Sequence, residues 1–323
     1  MKKKQFLIFI IFSVLLISIL IFDYPKKFIS RLIFSHELSL LTHSVFNNIN
    51  DKIDFDMTKK ENQKKSLIII NRYVYSFLKP VFKNLDSGVS WKMLHGSIWC
   101  DGVSDIFLRL AERINTRVGM IFLYNNDGIS PHTLNFVDLD NSSNNFKDNS
   151  LLSKMYLFDA QNNYYPINKK FQYVNINYML KNKNEFSNHT ALDSDNIKLN
   201  LLQNKQSIFI TNRIYDEFSI ISKLSLMVVN MLPKNSLNFL FKFGIFINPE
   251  LDDDYKKFLY ARLDHILLNY DDAKANYSRI TVKNSYYVNA RYWHERIRSS
   301  QSVLIKYEDI LLPFTDRFFP ANL

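Results

Sequence analysis

The chain has a single cysteine, Cys100, in 323 residues, so no disulfide can form within it. A solitary thiol is either a small apolar side chain of the core or a nucleophile, and its neighbours in the sequence decide which. Glycine and proline are also scarce, at six and eight residues, and no glycine-rich loop of the kind that cradles phosphate is present. The histidines outside position 132, namely His36, His43, His95, His189, His265 and His294, show no ligand spacing such as His-Glu-x-x-His, which leaves no recognisable zinc motif. No internal repeat is visible. The formal charge is +10 and would suit an anionic partner. Dense basic blocks are confined to the N-terminus and the stretch from Lys59 to Lys65, however, and no nucleic-acid-binding module accompanies them, so nucleic acid is not an expected partner.

What is abundant is apolar material. Hydrophobic residues make up 47% of the chain and aromatic residues 15%, enough for one generous domain or two small ones. Phe6 to Phe22 is apolar except for Ser13 and Ser18 and follows Lys2-Lys3-Lys4. The succeeding Phe22-Asp23-Tyr24-Pro25-Lys26-Lys27 offers no small-residue cleavage site, so the segment reads as an uncleaved single-pass membrane anchor spanning residues 1–27. The basic residues before it favour a cytoplasmic N-terminus. The globular part is then expected outside the cytoplasm, in a periplasm or at the cell surface, with the membrane as partner through this N-terminal helix.

Residues 28–65 read as a helical stem and linker, with Ile29, Leu32, Ile33 and Leu40 at helical spacing followed by a polar stretch. Residues 66–180 form the expected central domain. In it, Leu67 to Leu85 reads as one helix, and Trp99 to Ile114 as a second, buried one carrying Val103, Phe107, Leu110 and Ile114. Thr116 to Tyr124 and His132 to Leu139 read as strands of a hairpin around Asp127-Gly128, and Met155 to Asp159 as a further strand. That order predicts an α+β domain with helices packed on an antiparallel sheet. Residues 181–206 are polar and read as a linker, and residues 207–323 as a mainly helical C-terminal region. Tyr255 to Tyr270 is its best helix, with Asp252-Asp253-Asp254 as an acidic first turn. Phe218 to Leu232, which stops at Pro233, reads as buried core in preference to an interfacial helix.

Chemistry centres on the thiol. Ionisation near neutral pH is favoured by a helix N-terminus and by an imidazole partner. Cys100 stands at the start of a predicted helix, His132 at the start of a strand, and Asp159 at the end of the next. They make a nucleophile, a base and a carboxylate that orients the base. The Cys100 backbone N–H is placed to receive an oxyanion. His95 is a rival base, five positions before the thiol.

In the segments Gly96-Ser97-Ile98-Trp99-Cys100-Asp101, Arg117-Val118-Gly119-Met120, His132-Thr133-Leu134-Asn135-Phe136-Val137 and Met155-Tyr156-Leu157-Phe158-Asp159, the chain resembles the transglutaminase-like cysteine superfamily. Its members carry a Cys at a helix start, a His on a strand and an Asp on the next strand. The resemblance covers about a third of the chain. It implies a transglutaminase/papain-like core, Cys100 as nucleophile, His132 as general base and acid, Asp159 as orienting carboxylate and Trp99 as a residue shaping the oxyanion or substrate site. The implied activity is acyl transfer or amide hydrolysis on a peptide, protein or envelope polymer, with no metal or organic cofactor. Leu134 and Phe136 stand where many relatives have an aromatic residue and a Glu, and neither Pro nor Thr follows Asp159. The rival expectation is a catalytically inactive binding or assembly module of the same fold. A third is a carbohydrate-handling accessory protein using the aromatics from Tyr286 to Trp293.

Overall fold

Apolar residues at helical spacing and short β-branched or aromatic runs alternate through the first two thirds of the chain, and helices dominate the remainder. The computed structural model describes residues 21–35, 38–78, 89–96, 99–114, 116–123, 132–139, 155–166, 168, 173–182, 208–211 and 220–305. In chain order the elements are helices α1 (Asp23–Ile33), α2 (Leu40–Asn50), α3 (Gln63–Phe77), α4 (Val89–His95) and α5 (Cys100–Ala111), then strands β1 (Arg117–Leu123), β2 (His132–Asp138) and β3 (Tyr156–Phe158). Helix α6 (Ile176–Lys181) and strand β4 (Ile208–Thr211) follow, and then helices α7 (Ile220–Met231), α8 (Lys234–Ile247), α9 (Asp253–Ile266), α10 (Tyr270–Ser278) and α11 (Tyr287–Ile305). The chain divides into two compact units, Met1–Ser44 with Ile220–His294, and Val45–Ser219 with Glu295–Leu323.

The expected fold class needs one correction. It is α+β, but among the described residues no helix is long and apolar enough to cross a membrane, so the expected N-terminal transmembrane helix is not supported. Helix α1 starts only at Asp23 and has eleven residues, about 16 Å at 1.5 Å per residue against the roughly 30 Å of a bilayer core. It also carries Lys26, Lys27 and Arg31. The apolar run from Phe6 lies outside the described residues except for positions 21 and 22. The expected single stem is two helices, α1 and α2, separated at Ser39, whose φ of 48° breaks helical continuation. The turn at Asp127-Gly128 and most of the 181–206 linker also fall outside the described residues.

The unit that holds the thiol is built on an antiparallel sheet of order β3-β2-β1-β4. β4 was not expected in the helical C-terminal region. Its four residues, Ile208-Phe209-Ile210-Thr211, are β-branched and aromatic but too few to show a period, and pairing with β1 decides their state. β2 is buried along its whole length, as an interior strand covered on both faces must be. Helix α5 crosses the sheet with every residue from Gly102 to Ala111 buried. Phe107 of this helix meets Phe158 of β3 with ring centroids 5.1 Å apart. Gly119 lies opposite Phe136 in the β1–β2 register, and the Phe136 ring occupies the space that a Cβ at Gly119 would take.

The helical unit packs α1 on α8 through Phe34 and Phe241, 6.0 Å between ring centroids. Asp252 caps α9 by accepting from the Tyr255 N–H at 2.6 Å, the use expected of an acidic first turn. Fully buried Asp264 accepts from Lys242 Nζ at 3.0 Å and Asn276 Nδ2 at 2.7 Å. Trp293 is buried with the Arg262 guanidinium 3.9 Å above its ring, and Tyr286 stacks on Tyr255 at 4.6 Å. These aromatics pack the helices, and the Trp293 ring has no open face for a sugar.

Candidate functional site: Cys100, His132 and Asp159

Cys100 is the first residue of α5. Gly96, at φ 75°, closes the preceding helix α4 in the left-handed conformation that glycine adopts without penalty. The chain re-enters helix after Trp99, which is extended at φ −76° and ψ 169° and makes no capping side-chain hydrogen bond. The thiol therefore sits on the first turn of a twelve-residue helix, where the positive end of the helix dipole favours an anion. It is partly exposed and within reach of reagents.

Antiparallel pairing delivers the other two groups. His132 begins β2, and β3 pairs with β2 through Asn135↔Phe158 and Phe136↔Leu157. Continuing that register one step sets Asp159 beside Leu134, on the same face as His132 two residues away. The His132 Nε2–H donates to Asp159 Oδ2 at 2.7 Å, with both side chains buried. The His132 imidazole also acts on the Cys100 thiol by hydrogen bonding and charge.

The carboxylate is fixed by its own turn. Asp159 and Tyr164 exchange backbone hydrogen bonds of 2.8 Å, and the Asp159 side chain accepts from the Asn162 backbone N–H at 3.2 Å and from Asn162 Nδ2 at 2.8 Å. Asn163 completes the turn at φ 51°, a conformation asparagine tolerates better than most residues. Helix α3 braces the turn from outside, with Asn71 Nδ2 donating to Asn163 Oδ1 at 3.2 Å and Arg72 Nη2 to the Tyr165 hydroxyl at 3.0 Å.

Charge follows from this geometry. Burial alone pushes the His132 imidazolium toward losing its proton, but the Asp159 charge and hydrogen bond, reinforced by Cys100, outweigh it and raise the group to about 9. Burial likewise pushes the Cys100 thiol up. The hydrogen bond and charge of His132, followed by the Thr133 hydroxyl and backbone N–H, more than reverse this and leave the thiol below its ordinary value. Both shifts run toward a thiolate–imidazolium pair, with the Asp159 carboxylate favouring the cation.

Of the residues expected at the site, Cys100, His132 and Asp159 are brought together. Trp99 is beside the thiol and 42% exposed, on the solvent side of the helix start. His95, the rival base, ends α4 ahead of Gly96, and the imidazole that acts on the thiol is that of His132.

Three further residues escaped the sequence reading. Thr133 Oγ1 lies 3.8 Å from Cys100 Sγ. Ser104 Oγ donates to the Thr133 carbonyl at 3.2 Å, and Asn135 Nδ2 donates to the Ser104 carbonyl at 2.9 Å. These two bonds staple the thiol-bearing helix to the imidazole-bearing strand. A signal was available: Cys100 and Ser104 are four apart on one helix face, and Thr133 and Asn135 two apart on one strand face. Thr133→Val removes the hydroxyl at nearly constant shape and is expected to move the acid limb of Cys100 alkylation by iodoacetamide up by about one pH unit, the scale of a hydrogen bond to a charged group. Thr133→Ser should restore it. An unchanged limb in the valine variant would show that the hydroxyl does not hold the thiolate.

Comparison with protein-family models, with curated proteins and with solved structures gives no match to this chain. The functional reading therefore stands on the geometry of the site. Among the described residues no group of three or more His, Cys, Asp or Glu side chains is placed to hold a metal ion.

Proposed function

We propose that this chain is a transglutaminase-like cysteine enzyme that performs acyl transfer or amide hydrolysis on a peptide or protein substrate. The observation that carries the reading is the buried His132–Asp159 pair, 2.7 Å apart, with His132 on the strand whose next residue, Thr133, meets the Cys100 thiol at the start of a helix. In this reading the Cys100 thiolate adds to an amide carbonyl carbon, and the developing oxyanion meets the Cys100 backbone N–H at the uncapped helix start. His132 gives its proton to the departing amine, the carbon–nitrogen bond breaks, and a thioester remains on Cys100. Water or a second amine then attacks the thioester, His132 takes up its proton, and the thiolate leaves to restore the ion pair.

Two steps thus need His132 in different states, and the pH dependence separates them. Alkylation by iodoacetamide needs only the thiolate, so it should rise through the lowered thiol value and stay high. Amide cleavage also needs the imidazolium as acid, so it should fall as pH passes about 9, where His132 loses its proton. The test is release of ammonia or amine from glutamine-containing peptides, with a fluorescent primary amine as competing acceptor. Turnover should drop by on the order of 10³-fold or more in Cys100→Ala. Turnover that survives in that variant, or the absence of any thioester or amine incorporation across such peptides, would reject the proposal.

A further inference from the structure

Helix α7 was expected in the core, and the structure places it otherwise. Its side chains at Ser225 and Val229 are buried, four residues apart on one narrow stripe. Leu224, Met227, Val228 and Met231 are between 40% and 70% exposed. Those four stand at i, i+3, i+4 and i+7, the spacing of one continuous helix face. Apolar spacing of this kind normally faces a core, and here it faces outward. At twelve residues the helix is too short to span a bilayer.

The sequence around this face says what covers it. From Phe218 to Pro249 there is no Asp or Glu, and the charged residues are Lys223, Lys234 and Lys242. Lys223 and Lys234 are exposed and bracket the apolar face at either end of the helix. A second copy of this chain docking by a two-fold axis would set that face against itself and bring lysines to lysines with no acid to receive them. An anionic bilayer surface satisfies both features, since acyl chains accept the apolar face while headgroup phosphates receive long lysine side chains that rise to meet them. Phe239 and Phe246 of α8, seven apart and 69% and 63% exposed, add further exposed apolar side chains within the same acid-free stretch. We propose that α7 is an interfacial lipid-binding helix that lies in the surface of an anionic bilayer with Leu224, Met227, Val228 and Met231 inserted.

The test uses the full chain with Cys100→Ser and Met227→Cys, labelled with an environment-sensitive fluorophore, and a control labelled at Val282→Cys. Vesicles of equal parts phosphatidylglycerol and phosphatidylcholine should blue-shift the probe at 227 and leave the probe at 282 unchanged. Reversing both lysines, Lys223→Glu with Lys234→Glu, should raise the lipid needed for the half-maximal shift by about thirtyfold or more. Because the readout is local, attachment of the chain to vesicles through any other segment does not mimic it. Vesicle-bound protein with no shift at 227, an equal shift on pure phosphatidylcholine, or a shift that grows with protein concentration in the absence of lipid would each overturn the proposal.

Discussion

Asp159→Asn is expected to slow iodoacetamide alkylation of Cys100 at neutral pH by about tenfold while leaving the fold in place. The substitution keeps an oxygen for the Asn162 N–H, so the turn from Asp159 to Tyr164 persists. It removes the charge that outweighs burial at His132, and without that charge the buried imidazole is neutral at pH 7. The thiol then loses its cationic partner, and burial, which pushes it up, is opposed mainly by Thr133. Its thiolate fraction at pH 7 falls to a few per cent or less, the level of an ordinary thiol with a pKa of about 8.5. A more basic thiolate is intrinsically more nucleophilic, which recovers part of the loss and leaves about tenfold. Asp159→Ala goes further, because it strands both the His132 N–H and the Asn162 amide in a buried setting. Removing one partner of a buried pair costs about 3–5 kcal/mol, so the alanine variant should show a lowered midpoint in urea as well as a slow thiol. Equal alkylation rates in the wild type and Asp159→Asn would show that the carboxylate does not charge the imidazole.

Gly119→Val is expected to be the most damaging substitution in the sheet. The Cβ of any residue at 119 would coincide with the Phe136 ring, which is fully buried in the neighbouring strand. Either the ring leaves its site or the two central strands part. Overpacking of this kind costs about 1–3 kcal/mol when neighbours can give way, and more when they cannot. Here the ring belongs to a strand buried on both faces, so Gly119→Ala should cost about 3 kcal/mol and Gly119→Val should abolish cooperative folding. Phe136→Leu combined with Gly119→Ala should recover stability relative to the glycine substitution alone, a coupling of about 1–3 kcal/mol measurable by denaturant titration. Because Phe136 shares β2 with His132, the alanine variant should also slow Cys100 alkylation. Strict additivity of the two substitutions would show that the ring and the glycine do not share this space.

Much of the site was legible in sequence because its groups stand at element ends. A polar residue at the first position of a strand or helix, such as Cys100 or His132, is visible against the apolar run that follows it. Asp159 was visible as the charge that ends Met155-Tyr156-Leu157-Phe158. Ser104, Thr133 and Asn135 were not singled out because they lie inside buried elements, where only the matched face of a neighbouring element explains a polar side chain. The helical reading of Phe218 to Leu232 was right in kind and wrong in burial. Periodicity shows which residues share a face, and only the structure shows whether that face meets protein. β4 failed for a different reason, since four residues of a long-range pairing carry no local period.

The measurement that bears most directly on this account is a pH titration of Cys100 thiolate absorbance in the wild type and in His132→Ala. The wild-type midpoint is expected below the ordinary thiol value, and the midpoint should rise once the imidazole is gone and burial is opposed only by Thr133. A wild-type midpoint at or above about 8.5 that His132→Ala leaves unmoved would contradict it.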